Sequence, residues 1–237
     1  QGVWISATSL NTARTAGGSA GTSTAALSFG GVDTTAIIAT NEVYNGSTWT
    51  EVNNMASGKR QFASNGTSTS ALGYGGEDAS NTYLDTNELW NGTNWTEVND
   101  LNRAKKDQAG LGVDNTSALS VAGLASPGII AETEVWNGTN WTEVFDMNTF
   151  RSNNRGVGTS TAALSFGGYN GNPPLSETES WNGTLWTTEN NLNEGRINPG
   201  GAGTVTSGLA FGGDPGPEAS KTVEEWSGTG IITETVD

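Results

Sequence analysis

Glu42, Glu88, Glu134, Glu179 and Glu224 recur at near-constant spacing along the 237-residue chain, matched by five cations, Arg14, Arg60, Lys105, Arg151 and Arg196. Two carboxylates facing one bond could act as acid and nucleophile, or as acid and base, as in glycoside hydrolysis. Such chemistry needs one asymmetric constellation. Five near-identical copies point instead to a scaffold of Glu–cation pairs, which set register more than they add stability. The sequence has no His and no Cys, so the commonest general base, the usual zinc ligands and a thiol nucleophile are missing. The expectation is a non-enzymatic protein with no cofactor and no metal. Oxygen-only clusters such as Glu77-Asp78 could accept calcium, although nothing matches an EF-hand loop.

The elements that carry these residues form a repeat. Trp4, Trp49, Trp95, Trp141 and Trp186 are 45, 46, 46 and 45 residues apart. Six residues after each comes Leu10, Met55, Leu101, Met147 or Leu192, and the cation follows four or five further on. A Gly-Thr-Ser-Thr-like turn leads into a small-residue strand that ends in paired glycines, the second being Gly31, Gly76, Gly123, Gly168 or Gly213. Each Glu then precedes by two places an aromatic or Trp of the stretch stated most fully as Trp90-Asn91-Gly92-Thr93-Asn94-Trp95. Two aromatics bracketing an Asn-Gly turn describe a β-hairpin, because the turn accepts positive φ and the rings can face each other across the strands.

The unit therefore reads as four antiparallel strands: A after the cation, B running into Gly-Gly, C carrying Glu-x-aromatic, and D starting at Trp. Four strands in about 45 residues make a propeller blade. The expected fold is all-β, a single β-propeller domain of five blades, with six as the alternative. Its repeats run at approximately 8–53, 54–99, 100–145, 146–190 and 191–237. An extra outer strand at 1–7 and a terminal one at 231–236 meet at the closure, which removes exposed edges. A first residue of Gln suggests a processed product or part of a longer polypeptide.

The order Arg, Gly-Gly, aromatic, Trp resembles the Kelch repeat over nearly the whole chain, and that resemblance also implies structural Glu–cation pairs. The near-verbatim recurrence of Thr-Ala-Ala-Leu-Ser-Phe-Gly-Gly and Trp-Asn-Gly-Thr-x-Trp-Thr-Glu-Val is similar to Kelch-like repeat proteins of marine tailed bacteriophages. The second resemblance implies a virion tail or fibre component, in the virion or otherwise extracellular, with a role in host attachment.

The net charge of −15 disfavours binding to nucleic acid, which relies on Lys and Arg at phosphates. No apolar run reaches membrane-spanning length, so membrane insertion is not expected. The A–B and C–D turns are nearly the same in every repeat, whereas the B–C loops at 32–39, 77–85, 124–132, 169–177 and 214–221 differ freely. Unlike loops on a regular scaffold are where recognition is usually placed; drift without function is the competing reading. Candidate contacts are Asp33, Ile37 and Ile38; Glu77, Asp78 and Tyr83; Pro127, Ile129 and Ile130; Tyr169, Asn170 and Pro173; and Asp214. Exposed Ile37-Ile38 and Ile129-Ile130 would suit a protein interface. The expected partner is a protein of a larger assembly or a host-surface receptor. A lectin-like propeller using the repeated aromatics as a glycan platform is the alternative, and a propeller glycosidase the third reading.

Overall fold

The computed structural model describes residues 6–216 and 219–228, and the described residues form an all-β architecture with no helix among them. In the first sheet β1 (Gly18–Thr22), β2 (Ala25–Phe29), β3 (Asn41–Tyr44) and β4 (Trp49–Val52) lie side by side in chain order. The second sheet repeats this with β5 (Ala63–Thr67), β6 (Ser70–Tyr74), β7 (Asn87–Trp90) and β8 (Trp95–Val98). The third contains β9 (Ala109–Asp114), β10 (Ser117–Ala125), β11 (Gly128–Trp136) and β12 (Trp141–Glu143). The fourth contains β13 (Arg155–Gly158), β14 (Ala163–Phe166), β15 (Thr178–Trp181) and β16 (Trp186–Thr188). Three described strands make the fifth: β17 (Gly200–Gly203), β18 (Ser207–Phe211) and β19 (Val223–Ser227). Trp4 and the expected strand 231–236 lie outside the described residues, and Ser6 and Ala7, the described part of the strand expected at 1–7, are not in a strand.

The hairpins follow from local chemistry. Gly46, Gly92, Gly138 and Gly183 sit at φ near +90° in the C–D turns, a region closed to most side chains. The preceding Asn side chain closes each turn; Asn91 Oδ1, for example, accepts from Thr93 N at 3.0 Å and Asn94 N at 2.9 Å. The turn sets Tyr44 opposite Trp49, Trp90 opposite Trp95 and Trp181 opposite Trp186. Ring centroids in these pairs are 5.1, 5.5 and 5.4 Å apart, and Trp136–Trp141 matches at 5.6 Å. The strand-C indoles Trp90, Trp136 and Trp181 are buried. Each donates to an A–B turn carbonyl at 3.0 Å, that of Ser68, Asn115 or Ser160.

By contacts the chain forms two compact units. One comprises the residues up to Lys106 with Gly112–Ala118 and Trp136–Thr142; the other comprises Asp107–Leu111, Leu119–Val135 and the residues from Glu143 on. In the first, Phe29 lies 5.6 Å from Phe62 and 4.7 Å from Trp95 of the next sheet, and Tyr74 lies 4.7 Å from Trp141. In the second, Leu119, Val121, Trp181 and Trp186 share a core, and Val157, Leu164, Phe166 and Ala210 form another. Large apolar rings between sheets supply most of the burial available to a chain so rich in Gly and Thr.

The second glycine of each pair has a specific cause. A Cβ on Gly31 would lie 2.5 Å from Thr15 O, on Gly76 2.7 Å from Arg60 O, and on Gly168 2.8 Å from Ser152 O. The following residue bridges to the same entry segment, as Val32 to Thr15 and Tyr169 to Ser152. Only glycine admits that approach.

One expectation is corrected here. The loop expected at 124–132 is mostly strand: β10 and β11 each run nine residues around a turn at Ser126-Pro127. Ile129 and Ile130 are β-branched and continue the ladder toward Glu134, so the pairing extends where the other repeats loop out.

Candidate functional site

The entry segment that precedes strand A carries the repeat's cation. Arg14 Nη2 reaches Glu42 Oε1 at 2.9 Å, Arg151 Nη2 reaches Glu179 Oε1 at 2.8 Å, and Arg196 Nη2 reaches Glu224 Oε1 at 2.5 Å. The other guanidinium nitrogen of Arg151 donates to Gly167 O and Glu177 O, tying strand B to strand C. In the second repeat Lys59 Nζ stands 3.2 Å from Glu88 Oε1. The expected partner, Arg60, is therefore corrected: its side chain leaves the core and bonds Glu77. Lys105 and Glu134 of the third repeat are both buried.

Two of these carboxylates, Glu179 and Glu42, are surrounded by donors from the entry segment as well as by the arginine. Asn148 donates its backbone N–H (2.7 Å) and its Nδ2 (2.9 Å) to Glu179 Oε2, and Thr149 N reaches Oε1 at 3.1 Å. Asn11 and Thr12 do the same for Glu42. Burial by itself would raise the Glu42 carboxyl, but the Asn11 and Thr12 N–H groups and Arg14 outweigh it and hold it below the usual range. The signal was present as Leu10-Asn11, Met147-Asn148 and Leu192-Asn193. Carboxylates with this many donors have no lone pair directed at a substrate, and hydrogen bonding to the charged form is what depresses them.

Two residues beyond the cation, Ala16, Gln61, Asp107, Asn153 and Asn198 all adopt φ between 51° and 55°. Gln61 N donates to Ala16 O at 2.9 Å in one unit. Asn153 N donates to Asp107 O at 2.8 Å, and Asn198 N to Asn153 O at 2.9 Å, in the other. Successive entry segments are thereby hooked together with no preference for side-chain type.

An asymmetric charged cluster lies beside this hook in the second sheet. Glu77, directly after Gly76, is buried. Its Oε1 accepts from Arg60 Nε at 3.0 Å and Nη2 at 2.5 Å, and its Oε2 accepts from Lys106 Nζ. Arg60 Nη2 also reaches Asn81 Oδ1 at 3.0 Å, and Lys106 Nζ reaches Gln61 Oε1 at 3.4 Å. Lys106 stands 5.2 Å from the centre of the Tyr83 ring, within the range of a cation–π contact. Burial would raise the Glu77 carboxyl, yet hydrogen bonds from Lys106 and Arg60 and their charges hold it below the usual range. The Arg60 side chain remains 31% exposed and that of Lys106 15%, so two cations and a Tyr ring border solvent over a buried anion.

Of the thirteen candidate contacts, the structure brings together Glu77 and Tyr83. Asp78 turns away, its Oδ1 accepting from Ser80 N and Thr82 N. Glu77-Asp78 therefore do not converge as oxygen ligands. Asp33 Oδ1 accepts from Thr35 N, Thr35 Oγ1 and Ala36 N, and the backbone donors lower its carboxyl. Ile37 and Ile38, expected to be exposed, are half-buried because Ile37 bridges to Val32 and Ile38 N bonds Gly31 O at 2.9 Å. Ile129 and Ile130 are half-buried within β11, leaving Pro127 exposed at the hairpin tip. Tyr169 bonds Gly171 O through its hydroxyl, Asn170 is half-buried and Pro173 is exposed. Asp214 closes its own turn on Gly216 N at 2.7 Å and pairs with Ile197. Trp90, Trp136 and Trp181, among the aromatics of the alternative glycan-platform reading, are buried.

Five consecutive antiparallel sheets, four with strands in the order A to D and the fifth with three described strands in the same order, define a five-bladed β-propeller. No family model matches the sequence, and no curated protein matches it. Among solved structures the chain is similar in fold to YjhT, with a TM-score of 0.75 at 12% identity, over 90% of this chain and 81% of that one.

Proposed function

We propose that this chain is a non-catalytic binding propeller of the Kelch type, similar to those of tailed bacteriophages. Its place is a virion tail or fibre, or another extracellular assembly, and it engages a protein or host-surface partner through the B–C side of its blades. The observation that carries the reading is the division of labour among carboxylates. Glu42 and Glu179, repeated and buried, are fully coordinated by their own repeat's donors. The charged groups that break the repeat, Arg60 and Lys106 over Glu77, sit on the B–C side and border solvent. Partner specificity built on cations beside an aromatic ring is a common recognition chemistry.

A second reading, a lectin-like blade, is favoured by one feature: a half-buried Tyr83 ring beside Lys106, whose ammonium also reaches the Gln61 amide, offers stacking and polar groups of the kind sugars use. A glycan array distinguishes the two. A lectin binds discrete glycans and loses them in the Tyr83→Ala variant. A protein-binding propeller is silent on the array, while its binding to particles or host cells falls on Arg60→Ser plus Lys106→Ser substitution. Unchanged binding in that double variant would remove the cluster from the account.

A further inference from the structure

The strand-D indoles of the second and third sheets each lie beside the first residue of strand C in the sheet before. Trp95 stacks on Phe29, whose cross-strand partner is Asn41. Trp141 stacks on Tyr74, whose cross-strand partner is Asn87. Residues paired across strands hold their side chains together on one face, so each indole meets an Asn amide. Between the third and fourth sheets the same two places are held by Trp186 and Thr133. There the contact is direct, Trp186 Nε1 donating to Thr133 Oγ1 at 2.9 Å.

The two earlier interfaces have the same donor and an equally good acceptor without that bond. Trp95 Nε1 and Trp141 Nε1 are buried and have no acceptor among the described residues; Asn41 Oδ1 and Asn87 Oδ1 are buried and have no donor. Each amide is held by its other end, Asn41 Nδ2 donating to Asn53 O and Asn87 Nδ2 to Asn99 O, both at 3.3 Å. Asn53 and Asn99 in turn clasp the turn that leads into the indole. Asn53 Nδ2 donates to Thr93 O at 3.0 Å and to Asn94 Oδ1 at 2.8 Å. Asn99 Nδ2 donates to Thr139 O at 3.0 Å and to Asn140 Oδ1 at 2.7 Å.

These three polar positions change together along the chain. Asn41, Asn53 and Asn94 are followed by Asn87, Asn99 and Asn140, and then by Thr133, Phe145 and Leu185. Where the amide clasp is lost, a hydroxyl closes on the indole. Where it is kept, a buried N–H and a buried carbonyl oxygen stay unpaired at the same place twice. Buried polar groups are seldom left unpaired, and a water that joins two of them is the usual remedy.

We propose that one water molecule is built into each of these two interfaces. In the first it accepts from Trp95 Nε1 and donates to Asn41 Oδ1; in the second it accepts from Trp141 Nε1 and donates to Asn87 Oδ1. The contact of Trp186 with Thr133 is dry. Each water closes a polar loop that runs from the strand-C amide through Asn53 or Asn99 to the hairpin turn carrying the indole. The proposal does not depend on what the B–C side binds.

Water-selective NOE and ROE spectra of protein labelled with nitrogen-15 in Trp test it, with single Trp→Phe variants assigning the indole signals. The Trp95 and Trp141 indole protons are expected to contact a long-lived water, and the Trp186 proton none. Asn41→Thr copies the direct pair and should abolish the Trp95 signal while that of Trp141 stays. A crystal structure at atomic resolution gives a reading that needs no variant: an ordered water within about 3.2 Å of both atoms at each of the two sites. No water at either site, equal signals from all three indoles, a Trp95 signal that survives Asn41→Thr, or a direct bond from Nε1 to Oδ1 would each overturn it.

Discussion

Lys59 and Glu88 meet in the interior of the second sheet, Nζ 3.2 Å from Oε1, with side-chain exposures of 0% and 2%. Burial lowers the Lys59 ammonium despite the neighbouring Glu88 charge. Arg14, Arg151 and Arg196 hold the same place elsewhere and each donate to two backbone carbonyls, whereas Lys59 Nζ reaches Thr86 O at 3.5 Å. Arginine also keeps its charge more readily when desolvated. Lys59→Arg is therefore expected to hold or raise the melting temperature. Lys59→Met leaves Glu88 buried without its cation and should cost about 3–5 kcal/mol, read by urea unfolding. A Lys59→Met protein as stable as wild type would show that the pair is not a tie between strands.

Glu77→Gln keeps shape and removes the charge that holds Arg60 and Lys106. Hydrogen bonds to charged groups are worth about 1.5–3 kcal/mol, and both cations are partly solvated, so the loss should fall within that range. Chemical denaturation measures it; a change below about 0.5 kcal/mol would mean that solvent already satisfies both cations.

Acid should destabilise the fold through the same carboxylates. Glu42 and Glu77 have folded pKa values depressed below the ordinary 4.5. A depressed carboxylate contributes stability that is present above its unfolded pKa and is lost as pH falls through its folded one. Urea midpoints should therefore be flat above about pH 5 and decline steadily below 4.5. Glu77→Gln should flatten part of that decline, and an unchanged pH profile in the variant would assign the acid sensitivity to other groups.

Glycine substitution separates close approach from open turn. Gly76 has φ +100° and an added Cβ would lie 2.7 Å from Arg60 O, whereas Gly128 has nothing within 4 Å. Gly76→Ala should cost at least about 2 kcal/mol from backbone strain and clash. Gly128→Ala should move stability by no more than about 0.5 kcal/mol in either direction. Differential scanning calorimetry of the two variants checks the contrast, and equal effects would refute the close approach.

Much of this architecture was legible because each blade restates it. The Trp spacing located strand D, and Asn-Gly between aromatics located the C–D turn. Lys59 was misread because residue type was weighed above spacing. Counting four residues from Leu10, Met55, Leu101, Met147 and Leu192 gives Arg14, Lys59, Lys105, Arg151 and Arg196 without exception. The Asn residues that bond Glu42, Glu179 and Glu224 carry a weak sequence signal because half of their contribution is a backbone N–H, which any residue provides; Ala56 N supplies it to Glu88 at 2.7 Å. The hook at Ala16, Gln61, Asp107, Asn153 and Asn198 had no sequence signal, since hydrogen bonds between entry segments impose its backbone. The Arg60–Glu77–Lys106 cluster joins residues 17 and 29 apart and became visible only with the sheet register.

Photo-cross-linking within the intact assembly or on host cells tests the recognition claim most directly. A photoreactive residue would be placed singly at exposed Ser80, Pro127 or Pro173 on the B–C side, and at exposed Thr93, Thr139 or Thr184 in the C–D turns. The account predicts cross-links to a partner from the first group and none from the second; cross-links confined to the C–D turns would contradict it.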